Sequence, residues 1–156
     1  MHTAVLFIWL SICAAQDARQ RHIANGLTLG AGLLALIWLV WTGTTWLGAS
    51  AAQGGVALVL ALLLTLPGYA LGHMGAGDVK LMATIGIASD SLHLLGCFIG
   101  AGVAGVLWRL VAPRLWPHMG QALRRQLPYL APDLSKKTPF APLVWIGLLV
   151  SLIWIH

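Results

Sequence analysis

Two aspartates, Asp17 and Asp78, are the residues of this sequence whose type and setting point most clearly to chemistry. The chain has only four acids, and the other two lie where water would solvate them: Asp90 in the short turn "SDS" and Asp133 in a long polar loop. Asp17 and Asp78 instead adjoin apolar segments. A charged side chain at the centre of a membrane helix costs about 2.5 to 3.5 kcal/mol, so such a residue is by default a functional hypothesis.

The chemistry of this pair depends on whether the two carboxylates meet. Carboxylates within about 3 to 5 Å of each other cannot both ionise easily, so they share a proton; one acts as a base on water and the other as an acid toward a carbonyl group. Aspartic peptidases work in this way. Gly75 and Gly77 would let an extended peptide approach Asp78, because neither carries a Cβ atom. If Asp78 also begins a helix, the helix dipole favours its charged form and makes it the base.

Each aspartate also has a simpler interpretation. Asp78 could cap the helix that follows it, with the glycines ending the helix before. Asp17 could be a solvated charge paired with Arg19 or Arg21. Intramembrane acids also carry protons or ions, so a non-enzymatic transporter is the alternative function.

The composition indicates an integral membrane protein. Of the 156 residues, 59% are hydrophobic and 8% are charged, compared with about 25% charged in a soluble domain, and the mean hydropathy is +0.86. Because the bilayer core offers no water, each segment must pair its own backbone polar groups, which predicts helices. We therefore expect an all-α fold, with residues 1–156 forming one transmembrane domain.

Six apolar segments predict a bundle of about six transmembrane helices. They cover residues 3–16, 27–47, 51–71, 79–89, 92–112 and 140–155. The first has 14 residues, which span about 21 Å of a hydrocarbon core of about 30 Å. Either the bilayer thins there, or the helix continues through Asp17 and carries the carboxylate below the inner surface, facing protein or water.

The positions of the cations predict the orientation. With the N-terminus outside, the outer loops hold no Lys or Arg, and the nine cations gather toward the inner side: Arg19, Arg21, Lys80, Arg109, Arg114, Arg124, Arg125, Lys136 and Lys137. The positive-inside rule accounts for this asymmetry, so the net charge of +5 is no evidence for nucleic acid. Asp17 and Asp78 then approach the inner boundary from different helices. No positive residue precedes the first segment, which predicts a retained helix rather than a cleaved signal peptide.

Other kinds of site find little support. Cys13 and Cys97 lie in separate apolar segments without a CxxC pattern or a histidine cluster, which predicts buried thiols, no metal site and no cofactor. A metalloprotease would need a motif such as HExxH, which is absent. A serine peptidase of the rhomboid kind is disfavoured, because Ser50 falls on the outer side and His73 on the inner side.

Small residues recur at four-residue spacing and predict helix packing within one chain or between chains, so a homo-oligomer is one expectation. The pairs are Gly26 with Gly30, Gly96 with Gly100, and Ala101 with Gly105.

Two stretches taken together carry a family resemblance. "DARQRHIAN", residues 17–25, and "GAGDVKL", residues 75–81, resemble the two signature regions of type IV prepilin peptidases, the GxGD membrane aspartic peptidases. "TPFAPL", residues 138–143, is similar to the Pro-Phe-x-Pro element of that family. One departure is Ala24, where the family usually has Pro before Asn25. The sequence resembles a short form of this family, and that short form is similar to the peptidases of tight-adherence (Flp-type) pili.

The resemblance implies roles for the residues of both motifs. Asp17 and Asp78 would be catalytic, and Gly75 and Gly77 would shape the site. Three further residues, Lys80, Arg19 and Asn25, would shape the site or bind substrate. Lys80 could also tune Asp78, or simply extend its ammonium to the inner surface.

The substrate implied is a prepilin or pseudopilin with a short basic leader, a glycine before the scissile bond and an apolar helix after it. The implied location is the bacterial inner membrane, in which the chain crosses the lipid several times with its site toward the cytoplasm. The cysteine-bearing N-terminal extension that bifunctional members use for methylation is absent from this sequence, so the expectation covers the peptidase and not methyl transfer. The alternatives are a transporter or pilus-assembly component without enzymatic activity, and a presenilin-like protease that cuts deeper in the bilayer.

Overall fold

The part of the chain that the structure describes forms seven α-helices. The computed structural model describes residues 2–20, 25–72, 74–126 and 140–155. The helices are α1 His2–Gln20, α2 Asn25–Thr42, α3 Ala51–Ala70, α4 Ala76–Ala88, α5 Ser91–Leu115, α6 Gln121–Gln126 and α7 Phe140–Ile155, with a short 3-10 turn at Trp116–His118. An isolated β-bridge joins Thr44 to Ser50 between α2 and α3. The predicted all-α fold is confirmed.

The helix ends follow from local chemistry rather than from the limits of the apolar runs. The second apolar run extends to residue 47, yet α2 ends at Thr42, because Gly43 (φ +72°) and Gly48 (φ +88°) turn the backbone into the left-handed region. The Ser50 hydroxyl then accepts from the N–H of Gln53 and starts α3. At the start of α5 the Asp90 carboxylate accepts from the N–H of His93 at 2.8 Å.

Large apolar side chains face outward on the long helices. Examples are Val40, Leu63, Leu110 and Ile153, which are between 65% and 78% exposed. Soluble monomers rarely expose apolar patches of this extent, so these surfaces contact lipid. Three helical stretches, Asn25–Thr42, Ala51–Ala70 and Ser91–His118, are long and apolar enough to cross a membrane, and α7 is a shorter apolar helix. The protein is therefore an all-α membrane protein, while the count of six spans and the outside N-terminus stay predictions.

Glycines bring the helices into close backbone contact. A Cβ atom on Gly100 of α5 would lie 2.6 Å from the Cα atom of Gly147 of α7, and one on Gly86 of α4 would lie 2.9 Å from the carbonyl oxygen of Ala57 of α3. Close approach of this kind increases van der Waals contact where lipid leaves no hydrophobic driving force between helices. The predicted packing of the Gly96–Gly100 pair is confirmed.

The other two small-residue pairs behave differently. Ala101 is buried, and a Cβ on Gly105 would lie 3.2 Å from the Leu143 side chain of α7, so this pair also packs within the chain. A Cβ on Gly26 or Gly30 would meet no described atom within 4 Å, so the packing of that pair, within the chain or between chains, stays a prediction. Cys13 and Cys97 are fully buried, as predicted.

The packing of α5 on α7 can be tested with two alanine substitutions on one helix. Gly100→Ala and Gly102→Ala gain the same helix propensity, about 1 kcal/mol each, but a Cβ at position 102 would meet nothing within 4 Å. We expect Gly100→Ala to destabilise the protein by about 1 to 3 kcal/mol, because the added atom overpacks the contact. Gly102→Ala should keep or raise stability. Thermal unfolding in detergent measures both, and equal effects would contradict this packing.

Candidate functional site

Asp17 lies inside α1 and is buried. The helix continues past it to Gln20, and only 4% of the aspartate is exposed. Its Oδ2 atom accepts a hydrogen bond of 3.0 Å from the backbone N–H of Ala141, in the first turn of α7. The first N–H groups of a helix have no partner within that helix, so the carboxylate satisfies one of them. Of the two outcomes predicted for the short first segment, the helix continues and its acid faces protein.

This placement contradicts the interpretation of Asp17 as a solvated charge. Arg19, which was to pair with it, is exposed in the last turn of α1. The side chains of residues i and i+2 do not face each other on a helix, which separates the two groups. Arg21, the other predicted partner, lies outside the described residues.

Aromatic and polar contacts hold α7 against α1. The Phe7 and Trp145 rings are 5.1 Å apart between centroids, and the indole N–H of Trp145 donates to the Ser11 hydroxyl at 2.7 Å. Ser11 pairs with Trp145, and Asp17 pairs with Ala141. Residue numbers therefore increase along α1 in the direction in which they decrease along α7. The two helices are antiparallel, so the end of α1 meets the start of α7.

Asp78 lies in the first turn of α4, three residues after Gly75, the residue that caps the helix. Gly75 is in an extended conformation, and the Asp78 Oδ2 atom accepts a hydrogen bond of 3.1 Å from its backbone N–H. Asp78 was considered as the cap itself; it instead supports the helix start from inside the first turn. The helix begins at Ala76, three residues before the predicted apolar run.

The two glycines of the GxGD motif frame this turn. A Cβ on Gly75 would meet only the Asp78 carboxylate among the described atoms, at 3.6 Å, an ordinary contact. Packing against the described residues therefore does not require glycine at position 75, and they leave the space beside it open. Gly77 is the second residue of α4 and is partly buried.

Lys80 and Asn25 bring the two sequence motifs together. The Lys80 Nζ atom donates to the Asn25 Oδ1 atom at 2.9 Å, although 55 residues separate them. One turn further along, the Thr84 hydroxyl donates to the Thr28 carbonyl at 3.2 Å. Numbers rise together on α2 and α4, so these helices are parallel and start at the same end of the bundle.

Helices α1 and α2 complete the arrangement. His2 contacts the Trp38 ring at 4.7 Å between centroids, and the Trp9 indole N–H donates to the Leu27 carbonyl at 3.0 Å. These contacts run in opposite directions along the two helices, so α1 ends where α2 begins. The end of α1 and the starts of α2, α4 and α7 therefore lie at one end of the bundle.

Some of these contacts were not predicted from the sequence. Nothing in the local pattern names the Ala141 N–H as the partner of Asp17, although the "TPFAPL" resemblance singled out its segment. Lys80 and Thr84 are four residues apart, so they lie on the same face of α4, and this spacing is a signal in the sequence for the polar contact with α2. Direct contact between Asp17 and Asp78 stays a prediction. No group of three metal-ligating side chains occurs within the described residues.

A comparison with models of protein families identifies the family of this chain. A model of the type IV leader peptidase family matches residues 4–110, a stretch that includes Asp17 and Asp78 and ends within α5. No curated protein and no solved structure was found to match. Because the matched stretch is more than half of the 156 residues, the chain belongs to the type IV leader peptidase family.

Proposed function

We propose that this protein is a membrane aspartic endopeptidase that removes the short basic leader from type IV prepilin-like substrates at the cytoplasmic boundary of the membrane. Asp17 and Asp78 form its catalytic dyad, and water is the nucleophile. Membership of the type IV leader peptidase family supports peptidase activity in general. The finer steps are supported by the positions of the two acids.

The burial of Asp17 is the observation that carries the proposal. A carboxylate that is 4% exposed in an apolar bundle is costly, and charged groups are kept in such places mainly where they act. The Ala141 N–H compensates part of that cost without adding a neutralising charge. The acid is thus held at a fixed position.

The common end of four helices supports a meeting of the two acids. Asp17 lies in the last turn and a half of α1, and Asp78 lies in the first turn of α4. Contacts of α1 with α7 and α2, and of α2 with α4, place these ends together. Both carboxylates therefore lie toward the same side of the membrane.

Two carboxyl groups that share one proton can hydrolyse a peptide bond by general acid–base catalysis. The ionised carboxylate takes a proton from water as the water oxygen bonds to the scissile carbonyl carbon, and the protonated carboxyl donates to the carbonyl oxygen. The tetrahedral gem-diol then collapses: one of its hydroxyl protons returns to the carboxylate that had donated, the other carboxyl protonates the amide nitrogen, and the C–N bond breaks to give a carboxylic acid and an amine. No cofactor enters this scheme.

The assignment of base and acid cannot be made from the helix dipole. The sequence favoured Asp78 as the base because it begins a helix, and it does lie in the first turn of α4. Asp17 bonds to the first turn of α7 and receives the same kind of stabilisation. The dipole therefore favours the charged form of both acids alike.

The surroundings suit a substrate that stays in lipid. The open space beside Gly75 leaves room for an extended peptide next to Asp78. The exposed apolar faces of the long helices leave room in the lipid beside the protein for the apolar substrate helix. Arg114, in the last turn of α5, is among the cations that the positive-inside rule assigns to the cytoplasmic side.

Three aspartate-to-asparagine substitutions test the dyad. Asp17→Asn and Asp78→Asn should each lower kcat for a prepilin-like peptide by about 10² to 10⁴-fold, because an amide cannot exchange the proton. Both variants should fold, since the amide oxygen can still accept from the N–H of Ala141 or Gly75. Asp90→Asn is the matched control, because Asp90 caps α5 and asparagine caps equally well.

Cleavage by the purified protein in detergent is measured, with Asp90→Asn expected at the wild-type rate. Wild-type rates in either Asp17→Asn or Asp78→Asn would refute the dyad. Acid-dependent ion flux without cleavage would instead support the transporter.

Two exposed glutamines test which side of the membrane holds the site. Gln20 ends α1 beside the candidate site, and Gln53 lies in the first turn of α3, at the opposite end of the bundle. With both native cysteines replaced by alanine, Gln53→Cys should react with a membrane-impermeant thiol reagent on spheroplasts. Gln20→Cys should react only after permeabilisation. The reverse pattern would place the site outside.

A further inference from the structure

The contact between α2 and α4 is polar over the half that lies nearest the site. The Lys80 Nζ atom donates to the Asn25 Oδ1 atom at 2.9 Å. One turn deeper, the Thr84 hydroxyl lies 3.2 Å from the Thr28 carbonyl and 2.9 Å from the Lys80 carbonyl. Two successive turns of α4 are thus tied to two successive turns of α2.

Close packing prevents these two helices from sliding. Thr28 is fully buried and Thr84 is 3% exposed. A Cβ on Gly32 of α2 would lie only 3.0 Å from the Thr84 hydroxyl, so the Thr84 side chain packs directly against the α2 backbone. A shift of one residue along the helix pair would break the bond from Lys80 to Asn25 and the contact of the Thr84 hydroxyl with the Thr28 carbonyl.

The outermost of these bonds adjoins both catalytic motifs. Lys80 follows Asp78 by two residues, and Asn25 is the first residue of α2, eight residues after Asp17. Side chains two residues apart on a helix do not face each other, so Lys80 extends across to α2 while Asp78 bonds back to Gly75. The bond therefore joins the start of α4 to the chain that leads from Asp17.

We propose that Lys80 and Asn25 are a positioning pair that holds the two aspartates in register. The inference rests on the proposed function and deepens it. Lys80 acts through Asn25 and not on the substrate, because its ammonium is bonded across the helix pair and would repel a basic leader. A misplacement of about 1 Å can cost about 100-fold in rate, so one hydrogen bond at this position controls catalysis.

Substitutions that remove one partner test the pair. Lys80→Met and Asn25→Leu keep much of the side-chain shape and abolish the bond. We expect each to lower kcat for a prepilin-like peptide by about 10 to 100-fold, because the dyad loses its register, with KM changed less than about twofold. The double variant should be no slower than the slower single variant, because both changes remove the same interaction.

Conservative substitutions distinguish positioning from a merely structural role. Lys80→Arg keeps a cationic donor and Asn25→Asp keeps an acceptor, so each should retain most of the wild-type kcat. Thr45→Val is the control, because it removes a hydrogen bond of 3.0 Å from the Ala49 N–H to the buried Thr45 hydroxyl, at the opposite end of the bundle. Thr45→Val should lower the melting temperature and leave kcat unchanged.

Two results would overturn the inference. Effects of Lys80→Met and Asn25→Leu that multiply in the double variant would show that the residues act separately. A change confined to KM would make Lys80 a substrate contact. These two results overturn the inference when the wild type cleaves the peptide and the Asp17→Asn and Asp78→Asn variants do not. If those aspartate variants cleave normally, the proposed function fails, and this inference fails with it.

Discussion

A carboxylate buried among apolar helices must be compensated, and the hydrogen bond from the Ala141 N–H to Asp17 does this by joining the first helix to the last. The donor belongs to a helix start, where the N–H groups lack partners of their own. The bond therefore satisfies two costly groups at once, the buried carboxylate of Asp17 and the buried N–H of Ala141 in the first turn of α7. Contacts of Phe7 and Ser11 with Trp145 fix the approach of the two helices along their length. The position of the site depends on this pairing.

The rest of the bundle is held by two other kinds of contact. Backbone approach at Gly86 and Gly100 packs α4 on α3 and α5 on α7. Polar contacts at Asn25 and Thr84 hold α4 on α2. The apolar side chains that a soluble protein would place in its core instead cover the outside, because lipid is their solvent. Side-chain shape and a few hydrogen bonds therefore determine which helices meet.

Much of this arrangement could be predicted from residue types alone. The apolar runs predicted an all-α membrane protein, and the rarity of acids singled out Asp17 and Asp78. The helix ends were less predictable, because α2 stops at Thr42 through left-handed glycines while its apolar run continues. The partners of Asp17 and Lys80 could not be derived, since a local pattern states which groups need a partner and not which distant helix supplies one. Tertiary contacts between helices make that choice.

The bond between positions 17 and 141 also sets an order of events during synthesis. Ribosomes build the chain from its N-terminus, so the acid enters the membrane long before the amide that receives it has been made. Until α7 inserts, the carboxylate lacks the N–H donor of Ala141. The pairing of α1 with α7 is consequently completed late, when most of the preceding helices already reside in the bilayer.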